Sequence, residues 1–197
     1  LEMDSHGILW IATCDGIYSI DTKRKNLSEK DFKHFGTSNH QLSGDEVICL
    51  QSTPQGKLYA GITGEGLVEC HIDKQGNITK QEVISESLRI NTNIVNSISQ
   101  DRLGNLWIGT ELGIYRLSSD YSDIERFEYS LTLTCNAYTE NTSSVTPSGN
   151  LLFGTRNGLV IIKPQAVSSQ QAARPCLITD LKVNGKSILE SNDFDSE

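Results

Sequence analysis

The sequence of 197 residues has no apolar run of the roughly 18 residues that a membrane-spanning helix needs. Its first ten residues, LEMDSHGILW, lack both the basic cluster and the long apolar core of a signal peptide. Either the protein is soluble as made or its export signal lies upstream of Leu1. Basic residues are scarce: 17 Lys and Arg stand against 25 Asp and Glu, a net charge of −8, and their longest run is Lys23-Arg24-Lys25. Nucleic acids and anionic membranes are bound through clustered cations that release counterions, so this composition argues against both as partners. The five cysteines (Cys14, Cys49, Cys70, Cys135, Cys176) are scattered, odd in number and without a CxxC pair. They read as small apolar residues in strands, all unpaired, and not as a disulfide framework. The four histidines form no HxH or HExxH pair, so no zinc motif is present and no metal or other cofactor is expected.

The motifs of catalysis are missing too. There is no G-x-S-x-G and no Walker sequence; GEGLVE (64–69) lacks the last glycine of a dinucleotide fingerprint and leads into a strand. The acidic end DFDSE (193–197) has no glycine turn or later glutamate to close a calcium loop. No apolar stripe of period 3.6 reaches helical length, which points to an all-β chain.

What the sequence does contain is one phrase four times: GILWIAT (7–13), GKLYAGI (56–62), GNLWIGT (104–110) and GNLLFGT (149–155). The leading glycines Gly7, Gly56, Gly104 and Gly149 are 49, 48 and 45 residues apart. Each copy has a second glycine, in DGIYSI, EGLVEC, LGIYRL and NGLVII. Upstream of three copies lies an apolar alternation or its remnant: EVICLQS (46–52), IVNSISQD (94–101) and a bare LEMD (1–4). The fourth has the more polar CNAYTENTSSV. Each unit reads as strand, tight turn, strand, tight turn, strand, with a fourth strand after it, as in ERFEYSL (125–131). Four short strands per period of forty-odd residues are the pattern of propeller blades. The expectation is four four-stranded blades at about 1–42, 43–90, 91–135 and 136–165, forming a partial or small propeller. Trp10, Tyr59, Trp107 and Leu152 share one strand position, so they are read as packing between neighbouring blades, with sugar stacking as the alternative.

Three segments carry a family resemblance. SISQDRLGNLWIGTELGIYRL (97–117) resembles the two-component regulator propeller repeat. GNLLFGTRNGLVIIKP (149–164) is similar to the closing blade of such propellers, and PCLITDLKVNGKSI (175–188) to the start of the immunoglobulin-like domain that follows them. The resemblance implies the extracytoplasmic, periplasmic sensor region of a bacterial hybrid two-component histidine kinase. Such regions often sense a carbohydrate fragment, which makes a small carbohydrate the expected ligand of the intact sensor. The family's rings usually hold about seven blades, so both ends of this chain read as cuts through structure. The fragment carries no kinase and is expected to catalyse nothing by itself; the alternative is a propeller lyase or hydrolase of the streptogramin-lyase kind. Residues 166–175 have linker composition. Residues 176–197 read as the opening strands of a truncated immunoglobulin-like domain, with Asn184-Gly185 as the turn of a hairpin.

Propellers usually take ligands near the axis, where the loops between second and third strands meet those between blades. Those loops place Asp15, Glu65, Glu111, Arg156 and Asn157, and the inter-blade stretch SLRINTN adds Arg89 and Asn91. These seven are the ligand-binding candidates. The cut ends also predict self-association through the terminal blades, as a dimer approximating an eight-bladed ring or as a swap of the 175–189 hairpin.

Overall fold

The computed structural model describes residues 1–90, 92–127 and 138–167, and the backbone of 182–183 and 186–187. The chain forms two compact units, Leu1–Pro164 and Gln165–Glu197. Among the described residues, no helix is long and apolar enough to cross a membrane.

The first unit is a stack of antiparallel sheets, each made from strands consecutive in the chain. The first comprises β1 (Glu2–Met3), β2 (Ile8–Thr13), β3 (Gly16–Asp21) and β4 (Lys33–Phe35). The second comprises β5 (Val47–Ser52), β6 (Lys57–Ile62), β7 (Gly66–Ile72) and β8 (Ile78–Val83). The third comprises β9 (Val95–Gln100), β10 (Leu106–Thr110), β11 (Gly113–Leu117) and β12 (Ile124–Phe127). The fourth has three strands among the described residues: β13 (Tyr138–Val145), β14 (Leu151–Thr155) and β15 (Gly158–Ile162). The sheets are the blades of a β-propeller, as the period of the repeat predicts. After Ile162 the chain runs into Lys163-Pro164 and a single 3-10 turn, Pro164–Ala166. A proline has no N–H to give a further ladder. The remnant LEMD supplies only the two-residue β1, and the polar stretch before the fourth repeat nevertheless forms the eight-residue β13.

Period-two alternation sends the two faces of each sheet to different neighbours. Ile8, Trp10, Ile17 and Phe35 of the first sheet pack with Leu58, Ala60, Ile62, Val68 and Cys70 of the second. The other face of the second sheet, with Tyr59 and Leu67, packs with Ile98, Leu106, Ile108, Tyr115 and Leu117 of the third. The third meets the fourth through Asn96, whose Nδ2 donates to the Tyr138 carbonyl at 3.0 Å, and Ser143, whose Oγ donates to the Ile98 carbonyl at 2.8 Å.

The repeated aromatic sits in a specific cradle. In the first sheet the indole N–H of Trp10 donates to Asp4 Oδ2 at 2.9 Å, and in the third that of Trp107 donates to Asp101 Oδ2 at 2.9 Å. The other oxygen of each aspartate accepts backbone N–H groups of the turn between the first two strands: His6 and Ile8 for Asp4, Leu103 and Asn105 for Asp101. One carboxylate therefore fixes the turn and satisfies a buried indole, with the turn closed by a glycine at positive φ (Gly7 +82°, Gly104 +86°). Where the residue at this position is not tryptophan, threonine replaces the aspartate. Thr53 precedes Tyr59 and Thr146 precedes Leu152, their hydroxyls bonded to the backbone of Lys57 and Asn150. Trp10 is 0% and Trp107 1% exposed. Burying an indole removes about 150–250 Å² from water, a gross gain of about 4–6 kcal/mol before entropic costs.

In the second unit, β16 (Lys182–Val183) pairs antiparallel with β17 (Lys186–Ser187), Lys182 opposite Ser187 and Val183 opposite Lys186; the Asn184-Gly185 turn read from the sequence lies outside the described residues. The remaining positions of the linker and of the immunoglobulin-like segment read from the sequence lie outside the described residues.

Candidate functional site

Antiparallel alternation places the loops between second and third strands at one end of the stack, together with the connections between sheets. Six of the seven sequence candidates lie there; Asn91 is outside the described residues. In the β2–β3 turn the Asp15 carboxylate accepts from Tyr18 Oη at 3.0 Å and lies 3.7 Å from His34 Nε2, while His34 stacks on Tyr18 with ring centroids 4.6 Å apart. The bond to Asp15 is the main reason the Tyr18 phenol is harder to ionise than usual. The half-buried Glu65 accepts on its carbonyl from Ser85 Oγ at 2.7 Å, and Glu111 Oε1 accepts from Thr92 Oγ1 at 3.1 Å. The segment 85–93 thus ties the loops of the second and third sheets together, with Gly64 N–H adding a bond to the Asn93 carbonyl at 3.1 Å. Arg89 stands exposed on that segment in the left-handed region, φ +57°. Arg156 and Asn157 are exposed on the fourth sheet's loop. The structure therefore brings Glu65 and Glu111 to one connected loop pair, while Asp15 engages partners within its own sheet. Among the described residues, no group of three His, Cys, Asp or Glu side chains could hold a metal ion.

A denser polar constellation lies at the other end, in a cavity of about 320 Å³ between the second and third sheets. It is lined by Thr53 and Gln55 of the β5–β6 turn, Lys57 and Tyr59 of β6, Gln100, Leu103, Gly104 and Leu106 around the β9–β10 turn, and Ser119 and Tyr121 beyond β11. The register of β6 and β7 sets Lys57 opposite His71 and Tyr59 opposite Glu69, so all four project from one face. Glu69, 6% exposed, is the hub of the cluster. Lys57 Nζ lies 3.1 Å from each carboxylate oxygen, His71 Nε2 is 3.0 Å from Oε1, and Tyr121 Oη donates to Oε2. With its proton committed there, Tyr121 Oη accepts from Lys57 Nζ at 3.0 Å and from Tyr59 Oη at 2.5 Å. The Lys57 ammonium also lies 4.6 Å from the centroid of the Tyr121 ring. Burial first, then the Glu69 charge and bond, push the Tyr59 phenol far above its ordinary pKa, so it remains a donor.

None of Lys57, Glu69, His71 and Tyr121 was singled out from the sequence. The alternation in KLYAGI and GLVECHI does carry a signal for the first three, because period two puts them on one face. Tyr121 gives none: its turn, SSDYSD, reads as an ordinary polar loop.

The two component regulator propeller family matches residues 89–111, which contain β9, β10 and the tryptophan cradle of the third sheet. A histidine kinase P4 from Formosa agariphila is 20% identical over 188 residues, covering 95% of this chain and 13% of the relative. Two extracellular domains from B. thetaiotaomicron proteins described as hybrid two component systems superpose on it. One gives a TM-score of 0.60 at 23% identity, over 85% of this chain and 21% of that structure. The other gives 0.59 at 19% identity, over 94% of this chain and 31% of that one. The chain thus spans a minor part of the length of each protein it matches. It is a β-propeller chain whose residues 89–111 match the two component regulator propeller family.

Proposed function

We propose that the chain is part of the extracytoplasmic, periplasmic sensor region of a hybrid two-component histidine kinase, that it binds a carbohydrate fragment, and that it performs no chemistry itself. The observation that carries this reading is the match to the regulator-propeller family at 89–111, inside a stack whose first repeat buries Trp10 at the position of Trp107. The architecture supports it physically. A rigid series of equivalent sheets holds variable polar loops at fixed positions, which is how repeat proteins encode recognition. In this reading the hairpin at 182–187 opens an immunoglobulin-like domain that passes the liganded state toward the membrane, and the terminal sheets of the stack associate with further sheets.

The test is glycan-array binding by the complete extracytoplasmic region encoded with this chain. Binding of a defined oligosaccharide class, with kinase output altered by the same compound, is the expected result. Turnover of a glycan or a cyclic ester by the purified chain would instead favour a propeller lyase or hydrolase.

A further inference from the structure

The cavity between the second and third sheets lies at the end of the stack opposite the loops that carry Asp15, Glu65 and Glu111. Its charges cancel internally: Lys57 spends its N–H groups on both oxygens of Glu69 and on Tyr121. An anion entering it would find the Lys57 ammonium of its wall already neutralised by Glu69, and a cation would meet that ammonium. The remaining lining is hydroxyl, amide and phenol, from Thr53, Gln55, Gln100, Ser119 and the two tyrosines, with only Leu103 and Leu106 apolar. Its volume is at the low end of pockets that enclose small molecules, roughly 300–1,000 Å³.

One wall is held in an unusual conformation. Tyr121 adopts φ +63°, a region that bulky residues avoid. Three sets of bonds hold it there. Its own N–H donates to the Ser118 carbonyl at 3.0 Å, Asp120 accepts from Ser122 N–H and Oγ, and the phenol is bonded to Glu69, Lys57 and Tyr59. The effect is to stand an aromatic ring across the seam, against the opposite sheet, where a solvent-facing turn residue would otherwise point away.

We propose that this cavity binds a small neutral polyhydroxylated molecule, one sugar ring in size, with Tyr121 as its wall and Gln100, Ser119 and Gln55 as its hydrogen-bonding rim. The inference rests on the reading of the chain as part of a carbohydrate sensor, and it assigns the ligand class and the place. Hydroxyl groups can both donate and accept, which suits a rim of amides and hydroxyls. An uncharged ring leaves the Lys57–Glu69 pair intact. Binding here bridges two sheets of the stack, so occupancy would stiffen one seam of the propeller.

The experiment is amide NMR of the full chain titrated with neutral hexoses, hexuronates and hexosamines. The expected result is saturable shifts at Gln100, Gly104, Ser119 and Tyr121 with neutral hexoses, and affinity at least about tenfold weaker for the charged sugars. Tyr121→Gly, which relieves the backbone and removes the wall, is expected to weaken binding by about tenfold or more while the thermal transition is retained. Ser119→Trp, an exposed substitution that fills the mouth, does the same without touching the core. Shifts confined to the loops of Asp15, Glu65 and Glu111 would uphold the sensor reading and overturn the cavity as the site. Preferential binding of hexuronates, or neutral-sugar shifts unchanged in Ser119→Trp, would overturn it as well.

Discussion

At the scale of single residues, the carboxylate that serves both a turn and an indole is the economy on which the repeat depends. Removing the Trp107 side chain empties a site that is 1% exposed, and Trp107→Ala is expected to cost roughly 3–5 kcal/mol in urea unfolding without selectively removing ligand binding. Asp101→Ala leaves a buried indole N–H and two turn N–H groups without their acceptor, with an expected loss of about 1–3 kcal/mol. The equivalence of the aromatics was legible from the sequence, because four copies place them at one strand position. Their polar partner was not: Asp4 and Asp101 look like ordinary turn residues until the indole bond shows why Thr53 and Thr146 replace them where tryptophan is absent. The thiols separate by environment. Burial pushes Cys49 and Cys70 up to about 12, whereas Cys14 is exposed, and all three are unpaired. Peptide mapping after a brief thiol-reagent pulse at pH 8 is expected to find Cys14 labelled and Cys49 and Cys70 untouched until the protein unfolds. Acid acts through exposed turn carboxylates. Hydrogen bonds from Ser122 hold Asp120 down at about 2, and bonds from Thr37 lower Asp45. A folded pKa below the unfolded value of about 3.9 gives stability that is present above pH 4 and lost as pH falls toward 2. The melting temperature should therefore stay level from pH 7 to 5 and drop between 4 and 2. Asp120→Asn should remove part of that drop.

At the scale of elements, the distance between sheets is set by a residue with no side chain. A Cβ on Gly61 of β6 would stand 2.5 Å from the Val95 carbonyl of β9, a backbone atom of the next sheet that cannot swing aside. Gly61→Ala is expected to cost about 1–3 kcal/mol and to broaden amide signals along β9, as overpacking at a seam does. In the first sheet Ala12 holds the same repeat position, half-buried against the core, so the constraint belongs to the local approach of strands and not to the motif itself. Strands with apolar alternation were readable in advance; β13 was the weakest of them in sequence. It forms because β14 offers a partnering edge and Tyr138 anchors its start, while most of its other side chains face outward, where polarity costs nothing. The cavity could not be read from sequence, since Lys57 and Tyr121 meet across 64 positions of chain and through a positive φ that no composition rule assigns to tyrosine.

At the scale of the molecule, the stack shows what its outermost faces lack. Ile17, Leu67 and Ile114 occupy one repeat position and are 0%, 0% and 2% exposed, each covered by the next sheet; Leu159, at that position in the fourth sheet, is 57% exposed. Ile161 beside it is 58% exposed and Leu152 is half-buried. At the opposite end of the series, the outer face of the first sheet carries Met3, 50% exposed, with Leu9 and Ile11 half-buried. The two faces are the two halves of the seam that recurs inside the stack, so a fourth sheet of one copy can cover the first sheet of another. Such a contact would be heterologous: two copies would close it at eight sheets if the rotation allows, and otherwise it would propagate. Light scattering at micromolar concentration is expected to show a dimer or a larger, concentration-dependent species. Leu159→Lys combined with Ile161→Lys should return it to a monomer with unchanged circular dichroism, because both side chains already face water in the isolated chain. Ending the chain after Val167 separates the two routes to assembly. If sheet faces drive it, association survives the deletion; if the hairpin at 182–187 is exchanged, association is lost. A wild-type chain that stays monomeric throughout this range would mean that these faces have no affinity for one another.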